Sequence, residues 1–320
     1  MRKVRFIGGT NSTSLHAGNR RSLGAVDNRA DIRDFLATRR AKVSPEQAGL
    51  PAGGGRRRVP GLRREEVAVL AGVSTDWYIR LEKGYISGVS DDVLHAVARA
   101  LQLDEAERLH LFDLARAARP PKSTLRRTAP VVRPNILRML EAMPGIPAFV
   151  RNGRLDVLAI NPLGRALYAP AFENPSRPAN LARFAFLDPH SRTFYPDWDE
   201  VAASTAAVLR AEAGRDPYNR DLSDLIGELA TRSEEFRTCW AAHDVRLHQT
   251  GAKHFQHPVV GRLDVDFDSM ALLTKNEWGL TLTCYSAEPG SPSDDAMKLL
   301  ASWAATTDHS DHTRTSDHVR

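Results

Sequence analysis

The sequence predicts a two-domain protein, with an all-α domain at residues 29–118 and an α+β domain at residues 131–305. Three observations favour this division. Apolar residues recur at helical spacing in the first region, whereas the second contains runs in which apolar and polar residues alternate as in β-strands. A proline-rich, basic stretch at 119–130 separates the two regions as a predicted linker. The length of 320 residues suits about two domains of roughly 100–200 residues each.

The first domain is predicted to contain five helices. They are expected at 31–43, 62–71, 74–82, 90–101 and 104–118. Gly72 and Gly84 are predicted to end the second and third helices. Ser74 is predicted to cap the third, because its hydroxyl can accept from the exposed first-turn amides. Three prolines and five glycines indicate a loop at 44–61.

The second domain is predicted to combine a small antiparallel sheet with helices on one of its faces. Two β-like runs surround Asn152-Gly153 and predict a hairpin over 146–161. Alternation predicts further strands at 261–270 and 278–288, and helical spacing predicts helices at 198–213, 221–231, 233–245 and 291–304. Outside the two domains, residues 1–28 are expected to form a disordered basic arm and residues 306–320 a disordered tail.

Charge is divided unevenly along the chain. Residues 1–130 carry 24 lysines and arginines against 14 acidic residues, whereas residues 131–305 carry 18 against 22. A basic first part indicates a polyanion partner, with solubility alone as the alternative. Two cysteines favour a reducing compartment, and the sequence has neither an apolar run of roughly 18 residues nor a secretory signal. The protein is therefore expected in the cytoplasm, without a membrane partner.

The stretch GLRREEVAVLAGVSTDWYIRLEKG, residues 61–84, has the pattern of two helices joined by a short turn. On the second helix Tyr78 and Leu81 share one side, whereas Asp76, Arg80 and Lys83 lie opposite. Arginine can donate two hydrogen bonds to guanine, aspartate can accept a hydrogen bond from the cytosine amino group, and threonine can contact a thymine methyl group. The outward side therefore suits reading of base edges, and the segment is predicted to be a helix-turn-helix that binds double-stranded DNA.

The same segment resembles the λ-repressor/Cro-type (XRE) helix-turn-helix regulators. The resemblance rests on Ala68, Gly72, Val73, Ser74, Leu81, Glu82 and Gly84. Further landmarks resemble the subgroup with an MmyB-like ligand-binding domain, and the likeness extends over residues 31–303. These landmarks are RLDVLAIN, FLDP, DWDEVA, SEEFRTCWAAHDV, HPVVG and YSAEPGS.

The resemblance implies a five-helix DNA-binding domain whose third helix enters the major groove. The candidate DNA-binding residues are Arg64, Thr75, Asp76, Trp77, Arg80 and Lys83, together with Arg56, Arg57 and Arg58 of the loop. Arg64 is assigned to a phosphate, with a base contact as a further option, because its guanidinium brings a full charge and two parallel donors. Trp77 is alternatively a packing residue, and the three loop arginines are alternatively only solvated. Glu82 is expected to pair with Arg39 or Arg40.

For the second domain the resemblance implies a PAS-like fold that binds a fatty-acid-like or other small amphipathic molecule. Trp198, Trp240, Trp278 and Trp303 belong either to the core or to an apolar cavity. The candidate ligand-binding residues are Asn161, Trp198, Arg210, Trp240, His243, Arg246 and His257. Asn161 is alternatively a structural cap. The predicted linker, residues 119–130, would have to transmit ligand binding to the DNA-binding domain.

The sequence favours neither a metal site nor a catalytic one. His243, His248, His254 and His257 are not accompanied by a cysteine pair or by HExxH, and no recognised nucleophile or phosphate-binding motif is present. The interpretation is a sequence-specific DNA-binding transcription regulator, a homodimer without a cofactor and without enzyme activity. The alternatives are an enzyme with a DNA-binding appendage, a dimerisation or partner-binding protein, and a DNA binder without sequence preference.

Overall fold

The computed structural model describes residues 28–51, 61–118, 131–173, 179–245, 249–272 and 279–316. Several sequence predictions concern residues outside these ranges. They are most of the basic arm, the loop arginines Arg56, Arg57 and Arg58, the linker at 119–130, and the candidates Arg246 and Trp278.

Five helices form the first domain, as the sequence predicts. They are α1 (Asn28–Lys42), α2 (Arg64–Ala71), α3 (Thr75–Glu82), α4 (Asp91–Ala100) and α5 (Glu105–Ala117). Gly72 ends α2 with φ at 67°, in the left-handed region that favours glycine, and the Ser74 hydroxyl accepts from the amide of Trp77 at the start of α3. Both predictions are confirmed. Ile32, Leu36 and Leu81 lie in the core between the helices.

The second domain is α+β, with a five-stranded antiparallel sheet in the order β2-β1-β5-β4-β3. Its strands are β1 (Ala148–Arg151), β2 (Val157–Ile160), β3 (Thr250–His257), β4 (Gly261–Leu272) and β5 (Leu280–Ser286). Its helices are α6 (Pro134–Glu141), α7 (Pro162–Leu167), α8 (Leu181–Leu187), α9 (Ser191–Phe194), α10 (Trp198–Arg215), α11 (Arg220–Arg232), α12 (Glu234–Ala241) and α13 (Pro292–Ser316), with a 3₁₀ turn at Ala169–Phe172.

Helices cover both faces of this sheet, which corrects the expectation of one covered face. The larger core contains α7 to α13 and the inward side of the strands, including Phe149, Phe255 and Tyr285. A smaller core lies on the other face, where Ile136 and Leu140 of α6 pack against Ala148 and Val150. Helix α6 was not predicted from the sequence.

The strands follow the predicted alternation, but the hairpin turn is longer than expected. In β4, Leu263, Val265 and Phe267 are buried, and the acidic residues between them are exposed. The β1–β2 turn does not close at Asn152-Gly153. Instead the Asn152 carboxamide oxygen accepts from the amides of Arg154 and Asp156, and Leu155 takes the positive φ of 66°.

The C-terminal helix α13 was predicted to end at residue 304 but extends to Ser316. It therefore includes most of the stretch that was predicted to be a disordered tail. Within the described parts of the chain, no helix is both long enough and apolar enough to cross a membrane.

Candidate DNA-binding surface and ligand cavity

Helices α2 and α3 form the predicted helix-turn-helix. Val67 and Ala68 of α2 and Tyr78 of α3 are buried where the two helices pack. Thr75, Asp76, Arg80 and Lys83 are exposed, and their side chains make no hydrogen bond or ion pair with other described residues. The local phase predicted from the sequence therefore leaves these polar side chains available to DNA.

The remaining described candidate residues of this surface have partners in the protein. Trp77 is partly buried and packs against the core of the first domain. Arg64 begins α2 with its side chain half exposed, and its guanidinium donates to the carboxylate of Glu82. The Arg64–Glu82 contact was not predicted from the sequence, which assigned Arg64 to a DNA phosphate with a base contact as an option.

Glu82 lies at the centre of a charge network with two arginines. Its side chain is only 2% exposed, and its carboxylate accepts from Arg40 at 2.8 Å and from Arg64 at 3.0 Å. Burial raises the pKa of Glu82, but the hydrogen bonds and charges of the two arginines outweigh burial and hold it below its usual value. The predicted pairing of Glu82 with Arg40 is confirmed.

A cavity of about 430 Å³ lies in the second domain between the inward face of the sheet and helix α10. Its volume falls within the range of about 300–1,000 Å³ that is usual for small-molecule sites. The lining residues are Phe149, Arg151, Leu155, Tyr168, Leu181, Tyr195, Asp197, Glu200, Val201, Ser204, Thr205, Val208, Thr250, Gly251, Ala252, Lys253, His254, Phe267, Thr283 and Tyr285. Among them Asp197, Glu200 and Thr250 are exposed, which places the opening between the starts of α10 and β3.

Two cations lie among the aromatic residues of this cavity. Arg151 is 7% exposed, and its only side-chain hydrogen bond with a described residue is a 3.4 Å contact to the Asn152 carbonyl. The partly buried Lys253 ammonium lies 5.0 Å from the Tyr195 ring centroid and 6.0 Å from that of Tyr168. Neither cation forms an ion pair within the described chain.

Burial dominates the electrostatics of the cavity, although the charge of the Glu212 carboxylate, which pairs with Arg215, also acts on Arg151. Burial lowers the pKa of Arg151, and burial together with the charge of Arg151 lowers the pKa of Lys253 to about 8. Burial also raises the pKa values of Tyr168 and Tyr285, whose hydroxyl oxygens lie 2.6 Å apart. The cavity therefore offers two cations and neutral hydroxyls beside apolar side chains that include Phe149 and Val208, with the acids Asp197 and Glu200 at its opening.

The predicted ligand-binding residues within the described chain all lie outside this cavity lining. Asn161 caps α7, and its amide group is fully used by the backbone of residues 143–148 and 164. The indole of Trp198 donates to the Ala185 carbonyl, and the ring of His257 contacts the Ala166 carbonyl and the Val259 amide. The polar groups of these three side chains are therefore used by partners within the protein.

Trp240, Arg210 and His243 lie together near the first domain. The Arg210 guanidinium stacks over the Trp240 ring at 4.0 Å and donates to the Trp240 carbonyl. His243 is partly buried, and its pKa is lowered by burial and by Arg210. Trp303 is 39% exposed on α13. In the described residues, no group of three histidines, cysteines or acids could hold a metal ion.

Sequence reasoning missed Arg151 and Lys253 as ligand candidates. Both lie on strands, where side chains two residues apart share a face. The inward direction of Arg151 follows from the position of Phe149, and Lys253 precedes the buried Phe255 by two residues. That alternation was the available signal. Strand β3 was not predicted, so the sequence did not indicate which face of the sheet Lys253 lies on.

An exposed recognition helix joined to a domain with an amphipathic cavity defines a DNA-binding protein with a ligand-binding domain. A family model described as a helix-turn-helix domain matches residues 31–111. A second model, the MmyB-like transcription regulator ligand binding domain, matches residues 132–300, which is more than half of the chain. The chain therefore belongs to the family of MmyB-like transcription regulators. No curated protein matches it.

Proposed function

We propose that this DNA-binding transcription regulator acts in the cytoplasm as a homodimer and senses an anionic amphipathic molecule, with a long-chain fatty acid as the first candidate. The observation that carries the ligand class is the presence of Arg151 and Lys253 in one cavity, with no described carboxylate within ion-pair distance of either. Burying unpaired cations is costly, and an anionic headgroup would offset that cost.

The rest of the cavity supports a ligand with one charged end. Tyr168, Tyr195 and Tyr285 supply hydroxyls near the two cations, and these hydroxyls can donate to a carboxylate or to another oxyanion. Leu155, Phe149 and Val208 supply apolar surface for a hydrocarbon body.

On the DNA side, Arg80 is the main candidate for base reading and Arg64 for phosphate contact. Arg80 is exposed together with Thr75 and Asp76 on α3, whereas Arg64 is held at the start of α2 by Glu82. One such helix reads only a few base pairs. Two copies reading half-sites about one helical turn apart would add both affinity and specificity, and this is the basis for the proposed homodimer.

Selection of duplexes from a random pool by the full chain tests the DNA-binding proposal. We expect an enriched sequence with two symmetric half-sites. Enrichment without a common sequence would instead support a binder without sequence preference.

Native mass spectrometry of the full chain tests the ligand proposal. We expect a bound acidic lipid that is released on denaturation and can be replaced by hexadecanoate. A chain that is purified without a ligand and does not bind hexadecanoate would leave the second domain as a dimerisation or partner-binding module.

A further inference from the structure

Helix α10 of the ligand-binding domain packs directly against helix α5 of the DNA-binding domain. The contact centres on His110, which is 4% exposed, and on Gly214. A Cβ atom at Gly214 would lie 2.4 Å from Cε1 of the His110 ring. The two helices therefore approach so closely that no side chain fits at this position.

A second contact joins the segment after α12 to helix α1. Val245 is 4% exposed and is buried in the core of the DNA-binding domain. The Asp244 carboxylate pairs with Lys42 at 2.6 Å and with Arg39 at 3.4 Å, and the Arg39 guanidinium also donates to the His243 carbonyl. We name the set Arg39, Lys42, His110, Gly214, Asp244 and Val245 the docking surface.

The two elements that supply the docking surface from the second domain also lead to the cavity wall. Glu200, Ser204 and Val208 of α10 line the cavity, and Gly214 follows within two turns of the same helix. Thr250, at the start of β3, lines the cavity five residues after Val245. A displacement of α10 at the cavity wall is therefore carried over a short distance to the DNA-binding domain.

We infer, on the basis of the proposed function, that occupancy of the cavity is transmitted to the DNA-binding domain through the docking surface. Closely packed interfaces switch between discrete arrangements more readily than they deform, so a small shift of α10 would reposition α5. The outward residues of α3 remain exposed in the docked arrangement. The ligand therefore acts on the orientation of the recognition helix and does not cover it.

Variants of the full chain test this route. On a duplex from the random-pool selection, saturating hexadecanoate is expected to change the Kd of the wild type by on the order of tenfold. In Gly214→Ala the new methyl group displaces His110. The ratio of the Kd for DNA with hexadecanoate to that without it is then expected to fall below about twofold. Adding His110→Ala to this variant removes the clash and is expected to restore most of the ratio.

Two matched controls separate loss of docking from loss of folding. Gly227→Ala makes the same change at an exposed position of α11, where no other heavy atom lies within 4 Å of the new Cβ atom. This variant should retain the wild-type ratio. Asp244→Lys reverses the charge of a side chain that is 44% exposed and should reduce the ratio, whereas Asp224→Lys on α11 should not. Circular dichroism confirms folding of each variant.

A measurement without fatty acid keeps this route distinct from the ligand proposal. Coupling is reciprocal, so operator DNA alone should change hydrogen exchange in α10 and β3 of the wild type, but not in Gly214→Ala. If operator DNA leaves hydrogen exchange in α10 and β3 of the wild type unchanged, the inferred route is overturned, even where DNA and hexadecanoate each bind. A full ligand-induced shift in folded Gly214→Ala would also overturn it. Failure of hexadecanoate to bind, with the exchange change intact, would count against the fatty acid only.

Discussion

The two domains treat buried charge in opposite ways. In the DNA-binding domain the buried Glu82 carboxylate is neutralised by two arginines, Arg40 and Arg64, so that every member of the network has a partner. In the ligand-binding domain Arg151 and Lys253 share one cavity, and no described carboxylate pairs with either. The first set of charges is neutralised within the protein, whereas the second would be neutralised by the proposed anionic ligand.

This difference distinguishes structural from functional charge. A compensated buried ion fixes how helices meet, and removing its partner leaves an uncompensated charge. An uncompensated cation costs stability in the empty protein and therefore indicates a ligand. Arg80 differs from both, because its side chain is exposed and solvated in the protein alone.

The largest expected effect comes from breaking the compensated network. Glu82→Ala leaves Arg40 without its main acidic partner, and we expect the free energy of unfolding to fall by about 2–3 kcal/mol. Arg64 is half exposed and rehydrates, which keeps the loss at the lower end for a buried pair. Thermal or urea denaturation measures the change. Glu65→Ala, at an exposed glutamate of α2, is the control and should change stability by less than about 0.5 kcal/mol. Equal effects would show that Glu82 is not a buried structural charge.

The DNA-facing arginines should separate into two behaviours. Arg80→Ala is expected to relax preference at one base pair, with a loss of about 1–3 kcal/mol there, because a bidentate base contact is removed. Arg64→Ala is expected to weaken binding to all duplexes about equally. It should also reduce the slope of log K against log salt concentration by about one, as loss of a phosphate contact does. Titrations on matched and mismatched duplexes at several salt concentrations distinguish the two. Wild-type behaviour in either variant would remove that arginine from the interface.

Replacing a cation of the cavity should have the opposite sign from breaking the Glu82 network. Arg151→Met removes an unpaired buried charge, so we expect the stripped protein to gain about 1 kcal/mol of stability while losing its stabilisation by hexadecanoate. Denaturation with and without hexadecanoate provides both values. A loss of stability in the stripped variant, comparable to that of Glu82→Ala, would show that Arg151 is compensated within the protein.

The smallest expected effect is a pH dependence that arises from Lys253. Its pKa of about 8 lies below the ordinary value of 10.5, so the unfolded chain binds this proton more tightly. The contribution of Lys253 to stability therefore rises between about pH 8 and pH 10.5. Affinity for hexadecanoate should fall over the same window, because the ammonium that pairs with the carboxylate is lost. The comparison with Lys253→Met isolates this residue, and identical pH profiles of the two proteins would contradict the assignment.

The sequence predicted the DNA-binding half in more detail than the ligand-binding half. Ser74, Gly72 and the outward phase of Arg80 are local features, fixed within one or two helical turns, and the structure reproduces the local geometry expected of them. The cavity instead depends on sheet order, since β1, β3 and β5 are separated by long stretches of chain. Periodicity cannot supply that order, so residues such as Trp198 and His257 were chosen by type and proved to have structural partners.

One measurement tests most directly whether Arg151 and Lys253 form a site for an anion. It is the thermal denaturation of the protein, stripped of bound lipid, with hexadecanoate and with hexadecan-1-ol. The two molecules share one hydrocarbon chain and differ in charge. We predict clear stabilisation of the wild type by the acid and little by the alcohol, with the advantage of the acid lost in Arg151→Met and Lys253→Met. Equal stabilisation by the two molecules, or an advantage of the acid that persists in both variants, would contradict the assignment of Arg151 and Lys253 as the anion-binding residues.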